Sequence, residues 1–316
     1  QGRVFIADSE QEMIQVFGPD GGYLQSVGRE GDGPGEFRGI TQIRTDSLYL
    51  HAMDANSLKM TRFNLSTLEY EDAVPFTFDM GDGGGYTHYL DTYYRMDQNR
   101  YLIQYDVGYV VGLEESGEKP EIEGWVLNRQ TGEYEDQMVF SFQDSETLYR
   151  RTEDNIYVIE PPYMRTSNIM QDPQYRFVYG WSDNVLFKVY DITGEVLEAL
   201  YMAHENVPLN PQDVYDIYED LQDPWKTLIQ EDTFPEHWPA YGQVSMDDRS
   251  RIWVALFTEN IENYKWMVLD RSGTISASFE WPRSREIQLI RDGFIYTLER
   301  DEETDVRKVV KYGFDL

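Results

Sequence analysis

The sequence predicts an all-β protein, a six-bladed β-propeller with a short helical insertion between blades four and five. Two observations lead to this prediction. First, a unit of apolar-alternating strands and tight turns recurs six times along the 316 residues. Second, two intervals between corresponding strands are 46 and 43 residues, which match the ~40–50 residues of a four-stranded propeller blade.

Each repeat contains a strand that ends in an aromatic residue or leucine. Turns follow these strands, and they begin with Asn or Asp at Asn64, Asn128, Asp191 and Asp270. Such side chains accept hydrogen bonds from the backbone of their own turn, and Gly supplies the positive φ that other residues avoid. The six strand ends are Phe17, Phe63, Leu127, Tyr190, Leu269 and Tyr312.

The longer intervals between repeats predict insertions. Residues 211–231 hold apolar side chains at helical spacing after Asn210-Pro211, a pair typical of a helix start. Residues 143–154 are predicted to be a charged loop or a short helix. We expect a single domain over 1–316 with the insertion at 204–236 and blades at about 1–38, 39–78, 87–143, 155–203, 237–282 and 285–316.

Two of the 24 strands of a complete six-bladed ring are missing from this prediction: the innermost strand of blade one and the outermost strand of blade six. An N-terminal segment that pairs with the last blade would supply both and would cover open edges. We therefore expect further residues before Gln1, with a signal or a lipid anchor there. The predicted innermost strands are 40–44, 92–96, 164–170, 243–246 and 287–291.

Composition excludes several classes of protein. The chain has no Cys, so it has neither disulfides nor a cysteine-based metal site. It has no basic stripe and a net charge of −31, which argues against a nucleic-acid partner. No apolar run reaches the ~20 residues of a membrane-spanning helix.

The acidic excess, 58 Asp and Glu against 27 Lys and Arg, indicates a protein from a saline environment or one surrounded by divalent cations. Salt screens the mutual repulsion of these carboxylates. We therefore expect the melting temperature to rise as NaCl is added. An ordinary acidic secreted protein is the alternative, and a melting temperature that does not respond to NaCl would favour it.

Residues 27–37, with the sequence VGREGDGPGEF, resemble the link between blades in NHL-repeat propellers. The similarity is strongest to the six-bladed bacterial secreted or lipoprotein members. Its glycines and proline allow a tight crossing in which Phe37 lies between neighbouring sheets. The resemblance implies an extracytoplasmic protein (periplasmic, cell-surface or secreted) that binds a peptide, glycan or protein partner on one face. Some relatives are lyases or lactonases.

Four arginines lie at or near the ends of predicted innermost strands. In so acidic a chain, a repeated Arg position predicts a local positive ring for a carboxylate or sulfate ligand at the mouth of the channel. The alternative is that each arginine pairs with a nearby carboxylate such as Asp46, Asp97 or Asp292. The four are Arg44, Arg95, Arg165 and Arg291.

The aromatic loop of residues 234–241 is a second candidate site. It could present His237, Trp238 and Tyr241 as a binding platform, since large amphipathic rings dominate recognition surfaces. Packing of the same rings against the blades is the alternative. His51, which lies on a predicted strand, is interpreted as a structural histidine.

No cofactor is predicted, apart from a possible Ca²⁺ ion. Asp79 and Asp82 could hold Ca²⁺ with backbone carbonyls, but the EF-hand spacing is absent and a solvated loop is the alternative. A binding module is therefore the predicted function. A divalent-metal-dependent propeller enzyme of lyase or lactonase type is the alternative, and it needs carboxylates on the innermost strands, where few are predicted.

Overall fold

The computed structural model describes residues 2–77, 88–107, 119–152, 155–301, 303–304 and 306–315. These residues form antiparallel sheets of neighbouring strands and two short helices. The chain divides into two compact units, residues 1–143 and 144–316.

The first unit contains three sheets whose strands pair in chain order. The first sheet holds β1 (Val4–Asp8), β2 (Met13–Phe17) and β3 (Tyr23–Val27). The second holds β4 (Ile40–Thr45), β5 (Tyr49–Asp54), β6 (Lys59–Asn64) and β7 (Tyr70–Pro75). The third holds β8 (His88–Arg95), β9 (Arg100–Val107), β10 (Glu121–Asn128) and β11 (Tyr134–Gln143).

The second unit begins with a two-stranded ribbon of β12 (Leu148–Arg151) and β13 (Ile156–Ile159). A four-stranded sheet follows with β14 (Ser167–Gln171), β15 (Phe177–Trp181), β16 (Leu186–Tyr190) and β17 (Val196–Tyr201). After helices α1 (Pro211–Ile217) and α2 (Trp225–Glu231) comes a sheet of β18 (Tyr241–Met246), β19 (Ile252–Leu256), β20 (Asn263–Leu269) and β21 (Ile275–Pro282). The last sheet holds β22 (Glu286–Arg291), β23 (Phe294–Arg300) and β24 (Arg307–Gly313).

The first strands of the sheets lie where the sequence predicts the innermost strands of blades two to six. These are β4, β8, β14, β18 and β22. Among the described residues, the first and last large sheets have three strands each, which is the number predicted for blades one and six.

The turns form as their side chains predict. The carboxylate Oδ1 of Asp270 accepts hydrogen bonds from the backbone nitrogens of Ser272 and Thr274, at 2.8 and 3.0 Å. Gly273 adopts a φ of 79° in the same turn, a conformation that favours glycine. Side-chain oxygens of Asn64, Asn128 and Asp191 make the corresponding bonds in their own turns.

The glycine-rich link buries Phe37 completely, as predicted. Its ring lies in a cluster that joins the first sheet, through Ile14 and Val16, to the second sheet, through Leu50 and Phe63. The ring leaves no room for a side chain at position 28, because a Cβ on Gly28 would lie 2.3 Å from Phe37 Cε2. The link therefore depends on a glycine at one end and an aromatic residue at the other.

The prediction of a loop or short helix over residues 143–154 was wrong for residues 148–151, because β12 is a strand, whereas residues 144–147 form a loop. Strand β12 pairs with β13 in antiparallel register, with Leu148 opposite Ile159 and Tyr149 opposite Val158. A four-residue strand in a charged segment shows too little alternation to be recognised from the sequence alone.

The helical insertion lies between β17 and β18, that is, between blades four and five, or between the fifth and sixth sheets when the ribbon is counted. Asn210 caps α1 by accepting a hydrogen bond from the backbone nitrogen of Gln212, and Pro211 opens the helix as predicted. The helical pattern divides into two helices because Pro224 lacks a backbone donor and clashes with a preceding helical turn. No helix in the described ranges is long and apolar enough to span a membrane.

Candidate functional site

In the first unit, both predicted arginines contact neighbouring groups. Arg44 donates from Nε to the backbone oxygen of Tyr93 at 2.9 Å, and its guanidinium lies 5.0 Å from the ring centre of Tyr94. Arg95, the last residue of β8, pairs through Nη1 with Asp46 Oδ2 at 2.8 Å. Arg95 therefore follows the pairing alternative, with a carboxylate that lies close to Arg44 in the sequence.

In the second unit, the two predicted arginines differ. Arg165 pairs through Nε with Asp183 Oδ1 at 3.1 Å. Arg291, at the end of β22, is exposed and makes no ion pair with any described carboxylate. That the four arginines form a single ring for an anionic ligand stays a prediction.

His51 is buried and bonded on both ring nitrogens. Nε2 lies 2.9 Å from Asp46 Oδ2, and Nδ1 lies 2.9 Å from the hydroxyl of Tyr101. Burial lowers the pKa of His51, while the charge of Asp46 opposes that shift. Burial alone would raise the pKa of Asp46, but hydrogen bonds from His51 and from two backbone nitrogens hold it well below its usual range. This arrangement is that of a structural histidine.

The loop of residues 234–241 places its large rings inside the second unit. Trp238 and Tyr241 are both 1% exposed, whereas His237 is exposed. The Trp238 ring stacks on Phe257 with 5.0 Å between ring centres. These two rings are thus part of the core in this structure, and only His237 of the three candidates is accessible.

Metal ligation has no support among the described residues, where no three His, Asp or Glu side chains come together as a ligand set. Asp79 and Asp82, the candidate Ca²⁺ ligands, lie outside the described residues. A Ca²⁺ site there stays a prediction.

The repeated sheets agree with a comparison against known families. A family model described as a six-bladed β-propeller, DUF5128, matches residues 1–205. The chain belongs to this family. The prediction of an all-β, six-bladed propeller is therefore confirmed, and the helices α1 and α2 lie beyond the residues that the DUF5128 model matches.

Solved structures resemble this DUF5128 propeller at low sequence identity. A member of the DUF4221 family from Bacteroides vulgatus is 12% identical, with a TM-score of 0.54 over 98% of this chain and 90% of that one. A "Putative exported protein" from Bacteroides fragilis is 11% identical, with a TM-score of 0.50 over 95% of this chain and 77% of that one. Similarity at this level shows the fold alone. No curated protein matches the chain.

The ribbon carries an apolar surface that the sequence did not reveal. Tyr149 and Val158 are cross-strand partners on one face, and Ile156 lies on that face two residues from Val158. Trp225 of α2 lies beside this strand, because its Nε1 donates to the backbone oxygen of Val158 at 3.2 Å. Its ring contacts Tyr157, whose side chain lies on the opposite face of the ribbon. We call Tyr149, Ile156 and Val158 the ribbon patch. Their exposed fractions are 45% for Tyr149, 47% for Ile156 and 37% for Val158.

The insertion holds the ribbon in place. Helix α2 packs against both ribbon strands, and Arg150 pairs with Glu231 at the end of this helix. The Tyr157 ring meets Trp225 edge to face at 5.6 Å between ring centres. The ribbon patch is thus presented by a supported element and not by an isolated hairpin, which would be marginally stable in water.

Proposed function

We propose that this propeller is an extracytoplasmic interaction module that docks a protein partner with a basic, partly apolar face on the ribbon patch. The observation that carries the proposal is the contiguity of the patch, in which three apolar side chains share one exposed face of the ribbon. Contiguous exposed apolar surface with aromatic residues is characteristic of protein-interaction sites. Single exposed apolar residues, by contrast, are ordinary.

Charge favours a basic partner. The insertion, residues 204–236, contains nine acidic residues and a single lysine. That lysine, Lys226, donates from Nζ to the backbone oxygen of Glu219 at 2.7 Å. A groove of about 270 Å³ between α1 and α2 has Asp216 and Glu219 in its lining. Negative charge beside an apolar patch steers positively charged partners toward it.

Two observations support a location outside the cytoplasm. The link of residues 27–37 resembles that of secreted and lipoprotein NHL-repeat propellers. One of the structurally similar proteins, from Bacteroides fragilis, carries the description of an exported protein. Both concern relatives, so the location is part of the proposal.

A peptide selection tests the proposed docking surface. A random-peptide phage library is panned on the purified chain, and the enriched peptides are assayed by titration against a variant with Tyr149→Ser, Ile156→Ser and Val158→Ser. We expect enriched peptides to combine basic and apolar residues. Loss of these contacts is expected to weaken binding by at least about tenfold, since buried aromatic anchors dominate binding energy.

The matched control removes exposed apolar side chains elsewhere in the same unit. On β17, Val196, Leu197 and Tyr201 are all exposed, and changing them to serine should leave peptide affinity unaltered. Equal affinity for the patch variant and the parent chain would contradict the proposal. So would a selection that yields acidic peptides, or glycan binding that is insensitive to the patch substitutions.

A further inference from the structure

Arg283 has an unusual environment for a cation in this chain. It follows β21, and its guanidinium carbon lies 4.5 Å from the ring centres of both Phe257 and Tyr264. The Trp238 ring is 5.9 Å away. We call these four residues the Arg283 cage. Aromatic faces attract a guanidinium but accept no conventional hydrogen bonds from its edge.

Two donors at the edge of this guanidinium lack an acceptor in the part of the chain that the structure describes. Nε and Nη2 of Arg283 are shielded from solvent, and neither has a hydrogen-bond partner among the described residues. Asp213 is the nearby carboxylate whose charge acts on Arg283, but its Oδ1 accepts from Asn210 Nδ2 at 3.1 Å. Burial lowers the pKa of Arg283. Buried donors of a charged group are costly to leave unsatisfied, so the arrangement calls for an explanation.

Two other arginines of the chain show what this pair of nitrogens binds. Arg38 donates from Nε and Nη2 to the two carboxylate oxygens of Asp32, at 2.9 and 2.6 Å. Arg62 does the same with Asp72, at 2.7 and 2.5 Å, while its guanidinium lies 4.2 Å from the ring centre of Tyr49. Arg283 therefore shares the aromatic support of Arg62 and has the same two donors, but no Asp or Glu of the described residues engages them.

We propose that the Arg283 cage binds the carboxylate of a ligand, whose two oxygens accept hydrogen bonds from Nε and Nη2. The planar fork of arginine matches a carboxylate, and exclusion of water strengthens such a pair. Helix α1 packs beside the cage, because its Val214 lies in the same cluster as the rings of Trp238 and Phe257. Since the fork is shielded from solvent, the ligand reaches it when neighbouring groups move. This site is independent of the ribbon patch.

Thermal unfolding with simple carboxylates tests the proposal. The probes are sodium N-acetylglycinate, which mimics a peptide C-terminus, and sodium glucuronate, which represents acidic sugars. The neutral counterparts are N-acetylglycinamide and glucose, each with NaCl added to equal ionic strength because salt alone is expected to stabilise so acidic a chain. A ligand that binds the folded state raises the melting temperature in a concentration-dependent way. We expect at least one carboxylate to raise the melting temperature more than its neutral counterpart does. The more effective of the two carboxylates identifies the source of the ligand.

Substitutions separate a binding role from a structural one. Arg283→Met should abolish the carboxylate-dependent rise and leave the melting temperature without ligand at or above that of the parent chain, since an unpaired buried charge is removed. Arg283→Lys keeps the charge but loses the fork, and the rise should again disappear. The control is Arg307→Gln, at an exposed arginine, and this variant should retain the carboxylate-dependent rise in melting temperature.

Three results would overturn the proposal: no carboxylate-specific rise in the parent chain, an equal rise in Arg283→Met, or a lower melting temperature for Arg283→Met in the absence of ligand. The last result would identify Arg283 as a structural cation. The serine variant of the ribbon patch should retain the carboxylate response, so failure of the proposed docking function would be distinguishable from failure of this site.

Discussion

Replacing Phe37 with alanine is expected to lower the free energy of unfolding by about 3–5 kcal/mol, the range for removal of a fully buried aromatic ring. The ring is 0% exposed and contacts apolar side chains of the first two sheets, with 6.1 Å between its centre and that of Phe63. Its loss would leave a cavity at the junction of both sheets. Urea unfolding of the parent chain and the variant measures the change.

Gly28→Ala provides a second measurement of the same junction. Gly28 has a φ of 77°, and an added Cβ would overlap the Phe37 ring. The control is Gly21→Ala, because Gly21 has a similar φ of 81° but nothing within 4 Å of an added Cβ. Gly21→Ala should lower the free energy of unfolding by about 1–2 kcal/mol through the backbone conformation alone, and Gly28→Ala should lower it by more. If the two substitutions lower the free energy of unfolding equally, the close approach of Phe37 to Gly28 does not contribute to stability.

The second large effect is expected at Asp247, whose side chain is fully buried in the second unit. Oδ2 accepts hydrogen bonds from Arg251 Nε at 2.6 Å and from Trp253 Nε1 at 2.9 Å. Oδ1 accepts from the backbone nitrogens of Arg249 and Arg251, both at 2.9 Å. Asp247→Ala should therefore lower the free energy of unfolding by about 3–5 kcal/mol, because the nearly buried Arg251 would lose its counter-charge.

Two further variants show whether burial causes this effect. The Arg38–Asp32 pair has equally short contacts but is largely exposed, so Asp32→Ala should produce no measurable loss. Adding Arg251→Met to Asp247→Ala should recover part of the stability, since the unpaired cation is then removed. A loss at Asp247 no greater than that at Asp32 would show that the buried pair is not a stabilising element.

The fold could be predicted because its signals are local and repeated. The hydrogen bonds that close a turn such as Asp270–Thr274 join residues within the turn itself, so the residues that specify it are adjacent in the sequence. The burial of Phe37 is likewise indicated by the surrounding glycines. The ribbon and the division of the helical insertion were missed because β12 is short and because Pro224 interrupts a pattern that looks continuous.

The candidate sites were harder to predict because pairing and burial depend on residues far apart in the chain. Arg95 pairs with Asp46, which lies in the turn between β4 and β5 of another sheet, and the two residues are far apart in the sequence. Arg283 is separated from Phe257 by a complete pair of strands, so its aromatic support could not be recognised. Trp238 is of a residue type that is common in binding sites, but its side chain is buried in the core. Aromatic content alone therefore does not distinguish surface residues from interior ones.

The most direct test of the interaction-module account is hydrogen–deuterium exchange of the chain with and without a peptide from the selection. If the ribbon patch is the docking surface, amides of residues 148–159 should exchange more slowly in the complex, while those of β18 and β19 should be unchanged. Slower exchange confined to the first strands of the sheets, such as 40–45 and 88–95, with no change in the ribbon, would contradict the account.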